Sequence, residues 1–227
     1  MHEPPAARPT TGKHARRRSR SVGWRFVLSA VVIATLVTGL VRGFLVDVYF
    51  IPSPSMEPLL SEGDRVLVDK RAGTAGQVRP GEIVVFDGRG SFDPITDDRE
   101  LPERLLAATG QWLGVSGSDT VYIKRVIGVG GDHVQCCSKE GDLTVNGSVL
   151  DEPYLYPGDR ASDDDFDVVV PEGRVWVLGD HRAVSQDSRS LLGAPGGGLI
   201  AEDRIIGRAF QLVWPPGRFA PIPGSAA

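Results

Sequence analysis

The chain has 227 residues, 41% hydrophobic and 24% charged, which excludes a wholly disordered protein and leaves room for one folded domain of ordinary size. Residues 1–25 carry Arg8, Lys13, Arg16, Arg17, Arg18, Arg20 and Arg25 against Glu3, so a formal total of −4 leaves −10 on the remainder. Two cysteines, adjacent at 136 and 137, and four scattered histidines do not make a zinc site by spacing, and no metal is expected.

Residues 1–21 read as a basic tail and 22–42 as a transmembrane helix. Phe26 to Val41 carries no charge. With Val22 to Trp24 it reaches the ~20 residues that cross a hydrocarbon core, Arg25 snorkelling to the interface. A basic flank before an apolar run puts the N-terminus in the cytoplasm and everything from residue 43 outside it. A cleaved signal peptide competes with this reading, but the run exceeds an h-region and no Ala-x-Ala follows within Arg42 to Tyr49. A nucleic-acid-binding tail also competes; basic charge abutting an apolar span argues against it.

Gly43 to Phe50 reads as a first strand and leads into Ile51-Pro52-Ser53-Pro54-Ser55-Met56-Glu57-Pro58-Leu59-Leu60. Three prolines in seven residues forbid a regular helix or central strand, so this is a stiff, extended loop that holds the hydroxyls of Ser53 and Ser55 at fixed places. A Pro/Ser-rich linker is the alternative. Ser55 lies 14 residues past Val41, under ~50 Å even at ~3.3 Å per residue, which puts it near the bilayer surface.

Beyond the loop, turn signals separate apolar runs: Arg65 to Lys70, Glu82 to Asp87, Val121 to Val129, His133 to Ser138 and Leu143 to Val145. Asn146-Gly147 is a two-residue hairpin signal leading to Ser148 to Leu150. Phe166 to Val170 and Arg174 to Leu178 flank Pro171-Glu172-Gly173 as a hairpin, and Ile205 to Val213 is a last strand. Residues 88–119 differ. They read as an insertion with a short amphipathic helix, Glu100 to Leu113, whose apolar positions are Leu101, Leu105, Ala108 and Trp112. The acidic run Asp163-Asp164-Asp165 lacks EF-hand spacing and reads as a solvated turn. Cys136-Cys137 is open between a vicinal disulfide and two thiols. The Pro/Gly/Ala-rich stretch 214–227 reads as a tail unable to bury a core. The expected fold is mainly β, an antiparallel domain over 43–213 with a small helical insertion, anchored by one N-terminal transmembrane helix.

A serine hydroxyl needs a base beside it, and lysine serves only where desolvation lowers its pKa. Lys124, between Ile123 and Arg125-Val126-Ile127, has an alternation that points it inward; a surface lysine on the polar face is the alternative. Taken in order, the serine loop, Gly63-Asp64, Tyr122-Ile123-Lys124-Arg125-Val126-Ile127-Gly128 and Gly179-Asp180-His181-Arg182-Ala183-Val184-Ser185-Gln186-Asp187-Ser188-Arg189 resemble the signature boxes of the type I signal peptidases.

That resemblance implies a Ser/Lys-dyad endopeptidase that removes signal peptides from exported preproteins after small-x-small motifs, without cofactor or metal. By resemblance Ser55 is the nucleophile and Lys124 the general base. Ser53 joins the Ser55 N–H in the oxyanion hole, and Ser185 orients the lysine. Arg125, Asp180, Asp187 and Arg189 brace the site, and Ile51, Met56, Leu60, Tyr122 and Ile123 line the substrate pockets. Ala183-Val184 stand where many members carry Asp-Asn, which puts part of the bracing in question. The implied partners are preproteins and the lipid bilayer, with no nucleic acid; no residue pattern specifies an oligomeric state. Two other readings stand beside this one: a Ser55/His181/Asp187 triad, and a catalytically silent tethered β module that binds exported peptides. Self-cleaving repressors share the chemistry, but they are cytosolic and DNA-linked, against the N-terminal span.

Overall fold

The computed structural model describes residues 23–74, 78–92 and 120–224. The basic tail and the expected helix Glu100 to Leu113 lie outside the described residues. Helix α1 spans Trp24–Phe44, 21 residues, or ~30 Å at ~1.5 Å per residue, the depth of a hydrocarbon core. Trp24, Phe26, Leu36 and Leu40 are each more than 60% exposed, an apolar surface suited to lipid. The helix runs to Phe44, so the first strand starts at Val46 rather than Gly43. Lys70 Nζ donates to the carbonyls of Arg42 and Gly43, at 3.3 and 3.1 Å, and places a cation on the orphan acceptors of the last turn.

The rest is antiparallel β. In chain order the strands are β1 (Val46–Phe50), β2 (Arg65–Asp69), β3 (Ile83–Asp87), β4 (Val121–Val129), β5 (His133–Cys136), β6 (Leu143–Val145) and β7 (Ser148–Val149). They continue with β8 (Phe166–Val169), β9 (Arg174–Leu178), β10 (Ile200–Ala201), β11 (Ile205–Trp214) and β12 (Ala220–Pro221). A four-residue helical turn, α2 (Arg71–Thr74), follows β2. Among the described residues, one sheet of eight strands runs β1-β2-β11-β3-β4-β9-β10, with β12 on β11. A second sheet runs β7-β6-β5-β8. Asn146 and Gly147 take φ of 54° and 79°, the left-handed pair that a two-residue hairpin turn requires.

Two expectations need correction. Phe166–Val169 and Arg174–Leu178 are not a hairpin: β8 pairs with β5, and β9 with β4 and β10. Pro171-Glu172-Gly173 instead carries the chain from one sheet to the other. Burial explains the separation, because four of the five β9 residues are buried whereas β8 alternates as an edge strand does. Nor is 214–227 loose throughout. Ala220 pairs with Leu212, and Ile222, 2% exposed, joins the core formed by Ile51, Met56, Leu60, Val66 and Val68.

Candidate active site

The serine loop connects β1 to β2 and contains one 3-10 turn, Pro54–Met56, with Pro54 at its first position, where a missing N–H costs nothing. The turn drops Met56 into the core and leaves Ser55, 5% exposed, facing β4. There Lys124 Nζ bonds to Ser55 Oγ at 2.6 Å. Lys124 is 3% exposed. Simple alternation is not what buries it: residues 123–128 are all buried, since β4 lies between β3 and β9 with both faces covered. Desolvation lowers the Lys124 pKa from 10.5 to about 8; Asp187 and Asp180 pull it back upward, and Arg189 lowers it further.

The segment 179–189 packs against this pair. His181 donates its backbone N–H to the Ser55 carbonyl at 3.1 Å. Its ring turns elsewhere, stacking on Tyr156 at 3.8 Å, with Nε2 4.0 Å from Asp159. The structure therefore does not assemble the Ser55/His181/Asp187 triad. Arg125 grips Asp180 with two bonds, 2.8 and 2.6 Å, also donates to the Gly81 carbonyl at 2.8 Å, and lies over the Tyr154 ring. Burial pushes the Asp180 carboxyl pKa upward against the pull of Arg125. Asp187, fully buried, is gripped by Arg189 at 2.9 and 2.8 Å and accepts the Gly179 N–H at 3.1 Å. The four residues expected to brace the site thus pair as two ion pairs with buried carboxylates, and each arginine also donates to a backbone carbonyl, Gly81 for Arg125 and Arg182 for Arg189.

Ala183 and Val184 are exposed, and the bracing closes without them. Asp159 accepts the Ala183 N–H at 3.1 Å. Sequence reasoning missed Arg182, which pairs with Glu152 and donates to the carbonyls of Gly179 at 2.9 Å and Ala161 at 2.7 Å. Its signal was available: an arginine three residues past a glycine turn inside a recognised box.

Ser53 Oγ lies 3.3 Å from Ser55 Oγ. Ser185 departs from expectation. Its hydroxyl is buried without a hydrogen-bond partner, so the expected bond to the Lys124 ammonium is not formed in this structure. Of the five expected pocket residues, Ile51, Tyr122 and Ile123 line a cleft of about 350 Å³ beside Ser55 and Lys124, together with Tyr49, Pro52, Val85 and Val121. Met56 and Leu60, both 0% exposed, belong to the core beneath instead. Burial raises the Tyr49 hydroxyl pKa to about 12, with Asp47 adding to the rise and Arg42 opposing it, so it stays protonated at neutral pH.

Among the described residues, Cys136, Cys137 and Asp165 bring ligand atoms within 4.8 Å of one another, with Asp165 exposed.

A buried lysine bonded to a serine hydroxyl, in a β domain that follows an apolar helix in the chain, is an arrangement suited to a membrane-anchored hydrolase. The comparisons with known proteins narrow that class. The family model "Signal peptidase, peptidase S26" matches residues 24–214. The probable signal peptidase I of Mycobacterium leprae is 35% identical, over 90% of this chain and 81% of the relative. Signal peptidase I of Mycobacterium tuberculosis is 36% identical, over 91% and 78%. Signal peptidase I T of Bacillus subtilis is 34% identical, over 82% and 83%. The chain belongs to the signal peptidase family, peptidase S26.

Proposed function

We propose that this chain is a signal peptidase that cuts exported preproteins after small-x-small motifs, with Ser55 as nucleophile and Lys124 as general base. The observation that carries the reading is the 2.6 Å contact between Lys124 Nζ and Ser55 Oγ, buried and with the lysine pKa lowered to about 8. At pH 7 about a tenth of such a lysine is already neutral. Ser55 Oγ attacks the carbonyl carbon at the end of the signal peptide while its proton passes to neutral Nζ. The carbonyl electron pair moves onto oxygen, where the Ser55 N–H and the Ser53 hydroxyl receive it. Collapse breaks the C–N bond, and the Lys124 ammonium gives its proton to the leaving amine, the new N-terminus of the mature protein. Water then adds to the acyl carbon, Lys124 again taking a proton, and release of the signal-peptide carboxylate restores the pair.

The cleft supports the substrate preference. β1 is an edge strand of its sheet, and the cleft runs between its end and β4, so an extended peptide can pair along it and present alternate side chains. The apolar bulk of Ile51, Tyr122 and Ile123 admits alanine and refuses larger groups. The basic tail keeps the N-terminus cytoplasmic, which puts the catalytic domain on the far side of the bilayer.

The test is processing of an Ala-x-Ala preprotein by the full chain in detergent, from pH 6 to 10. Wild type is expected to cut after the last alanine, with kcat/KM rising through a midpoint of about pH 8 as Lys124 loses its proton. Ser55→Ala and Lys124→Ala are expected to be inert. Cutting by Lys124→Ala, or equal processing of a precursor with phenylalanine before the cut, contradicts the reading.

A further inference from the structure

The serine loop is closed at its base by two backbone bonds, Ile51 N–H to Asp64 O and Gly63 N–H to Ile51 O, both 2.9 Å. Asp64, 2% exposed, accepts the Ser61 N–H on Oδ2 at 2.8 Å, so its carboxylate ties down the turn that leads out of the loop. Arg218 reaches that carboxylate from the other end of the chain. Its Nη1 donates to both oxygens, at 2.9 and 2.7 Å, while Nη2 donates to the Leu59 carbonyl at 3.0 Å. Arg218 is itself fixed: its N–H bonds to Pro215 O at 2.9 Å, and Ile222, four residues on, is embedded in the core that holds Ile51, Met56 and Leu60. Residue 218 lies beyond 214, the last residue matched by the family model.

Among the described side-chain and loop hydrogen bonds, those from outside residues 51–64 reach this loop at two places. At Ser55 they come from Lys124 and the His181 N–H; at Leu59 and Asp64 they come from Arg218. We propose that Arg218 is a positioning residue for the cleavage reaction, its guanidinium clamping the serine loop from the rear through Asp64 and Leu59 and so fixing the approach of Ser55 Oγ to Lys124 Nζ. The proposal rests on the Ser55/Lys124 reading above. A planar fork suits this task, since it satisfies a carboxylate and a carbonyl at once, whereas an ammonium on a flexible stem holds them less firmly. Arg218 is about a third exposed but Asp64 is buried, so the double variant, which leaves no unpaired buried carboxylate, separates the effect on geometry from the effect on stability. The clamp acts on geometry, where a 1 Å misplacement of a reacting group costs on the order of 100-fold.

The test compares full-length Arg218→Met, Arg218→Lys, Asp64→Asn and the Arg218→Met/Asp64→Asn double variant in detergent, with an Ala-x-Ala preprotein as substrate. In Arg218→Met, kcat is expected to fall roughly 10-fold or more while KM stays within about twofold. Arg218→Lys should recover part of the loss, and the double variant should be no worse than the poorer single one, because the two groups act as a unit. Amide hydrogen exchange at Ser61 and Gly63 should quicken in Arg218→Met. An unchanged kcat in folded Arg218→Met overturns the proposal, as does a loss confined to KM. If Arg218→Met fails to fold, Arg218→Lys and Asp64→Asn decide by the same kcat criterion. Failure of wild type to cut refutes the Ser55/Lys124 reading; unchanged exchange at Ser61 and Gly63 in an otherwise active series refutes the clamp alone.

Discussion

Replacing Lys124 with methionine should abolish processing and, at neutral pH, relieve the fold of a buried charge. Methionine keeps the unbranched stem among its neighbours and removes only the group that water would solvate. The folded-state pKa is about 8 against 10.5 for the free side chain, a difference worth roughly 3 kcal/mol. The unfolded chain holds its proton up to pH 10.5, whereas the folded chain releases it near pH 8. Between those values the unfolded state binds more protons, so wild-type stability rises with pH; below pH 8 the whole penalty applies. The unfolding free energy of wild type minus that of Lys124→Met should therefore grow by about 3 kcal/mol from pH 7 to pH 10.5. Other titrating groups cancel in that difference. For a domain of this size the change corresponds to ~6–12 °C in relative Tm. Thermal unfolding of both full-length proteins in detergent, followed by circular dichroism at unit steps of pH, reads it directly. A difference that stays flat across this range would refute the claim that Lys124 is desolvated, and with it the physical basis for a lysine base.

Two further substitutions probe the geometry around Ser55. Ser53→Ala removes a hydroxyl 3.3 Å from Ser55 Oγ and should lower kcat ~100-fold or more with little change in KM, measured on the same preprotein. A Cβ at Gly179 would stand 2.3 Å from Ser185 Oγ and 2.5 Å from the Ser55 carbonyl oxygen. Gly179→Ala should therefore cost ~1–3 kcal/mol in unfolding free energy and at least ~10-fold in kcat. Turning the Ser185 hydroxyl away leaves Ser185 Cβ at 2.6 Å and the Ser55 carbonyl oxygen at 2.5 Å from the added Cβ, so Gly179→Ala/Ser185→Ala should remain impaired; recovery in that double variant would show that both remaining contacts are harmless.

Local chemistry was legible in the sequence, and long-range placement was not. Prolines 52, 54 and 58, the Asn146-Gly147 turn and the apolar runs fix their own conformations within a few residues, so loop, hairpin and strands appear where expected. Whether β8 pairs with β9 or β5 depends on what covers each face, and a Pro-Glu-Gly turn is compatible with both. Met56 and Leu60 show the same limit. They flank Ser55 in sequence, yet one 3-10 turn sends them into the core while Ser55 faces β4. In residues 214–224, a single buried isoleucine and one arginine outweigh a composition that reads as tail.

The strand order also bears on how the protein matures. β11 is inserted between β2 and β3, and so between the strand that follows Ser55 and the strands that carry Lys124. A chain emerging from the ribosome through Leu199 holds Ser55 and Lys124 but lacks the strand that joins their halves of the sheet. Contacts this distant in sequence close late, after loop-closure entropy has been overcome. The pair should thus stay unassembled until β11 has been made, and a ribosome-bound fragment ending at Leu199 should cut no preprotein while the released 227-residue chain does. Such timing would keep a half-built protease from acting on the exported chains around it.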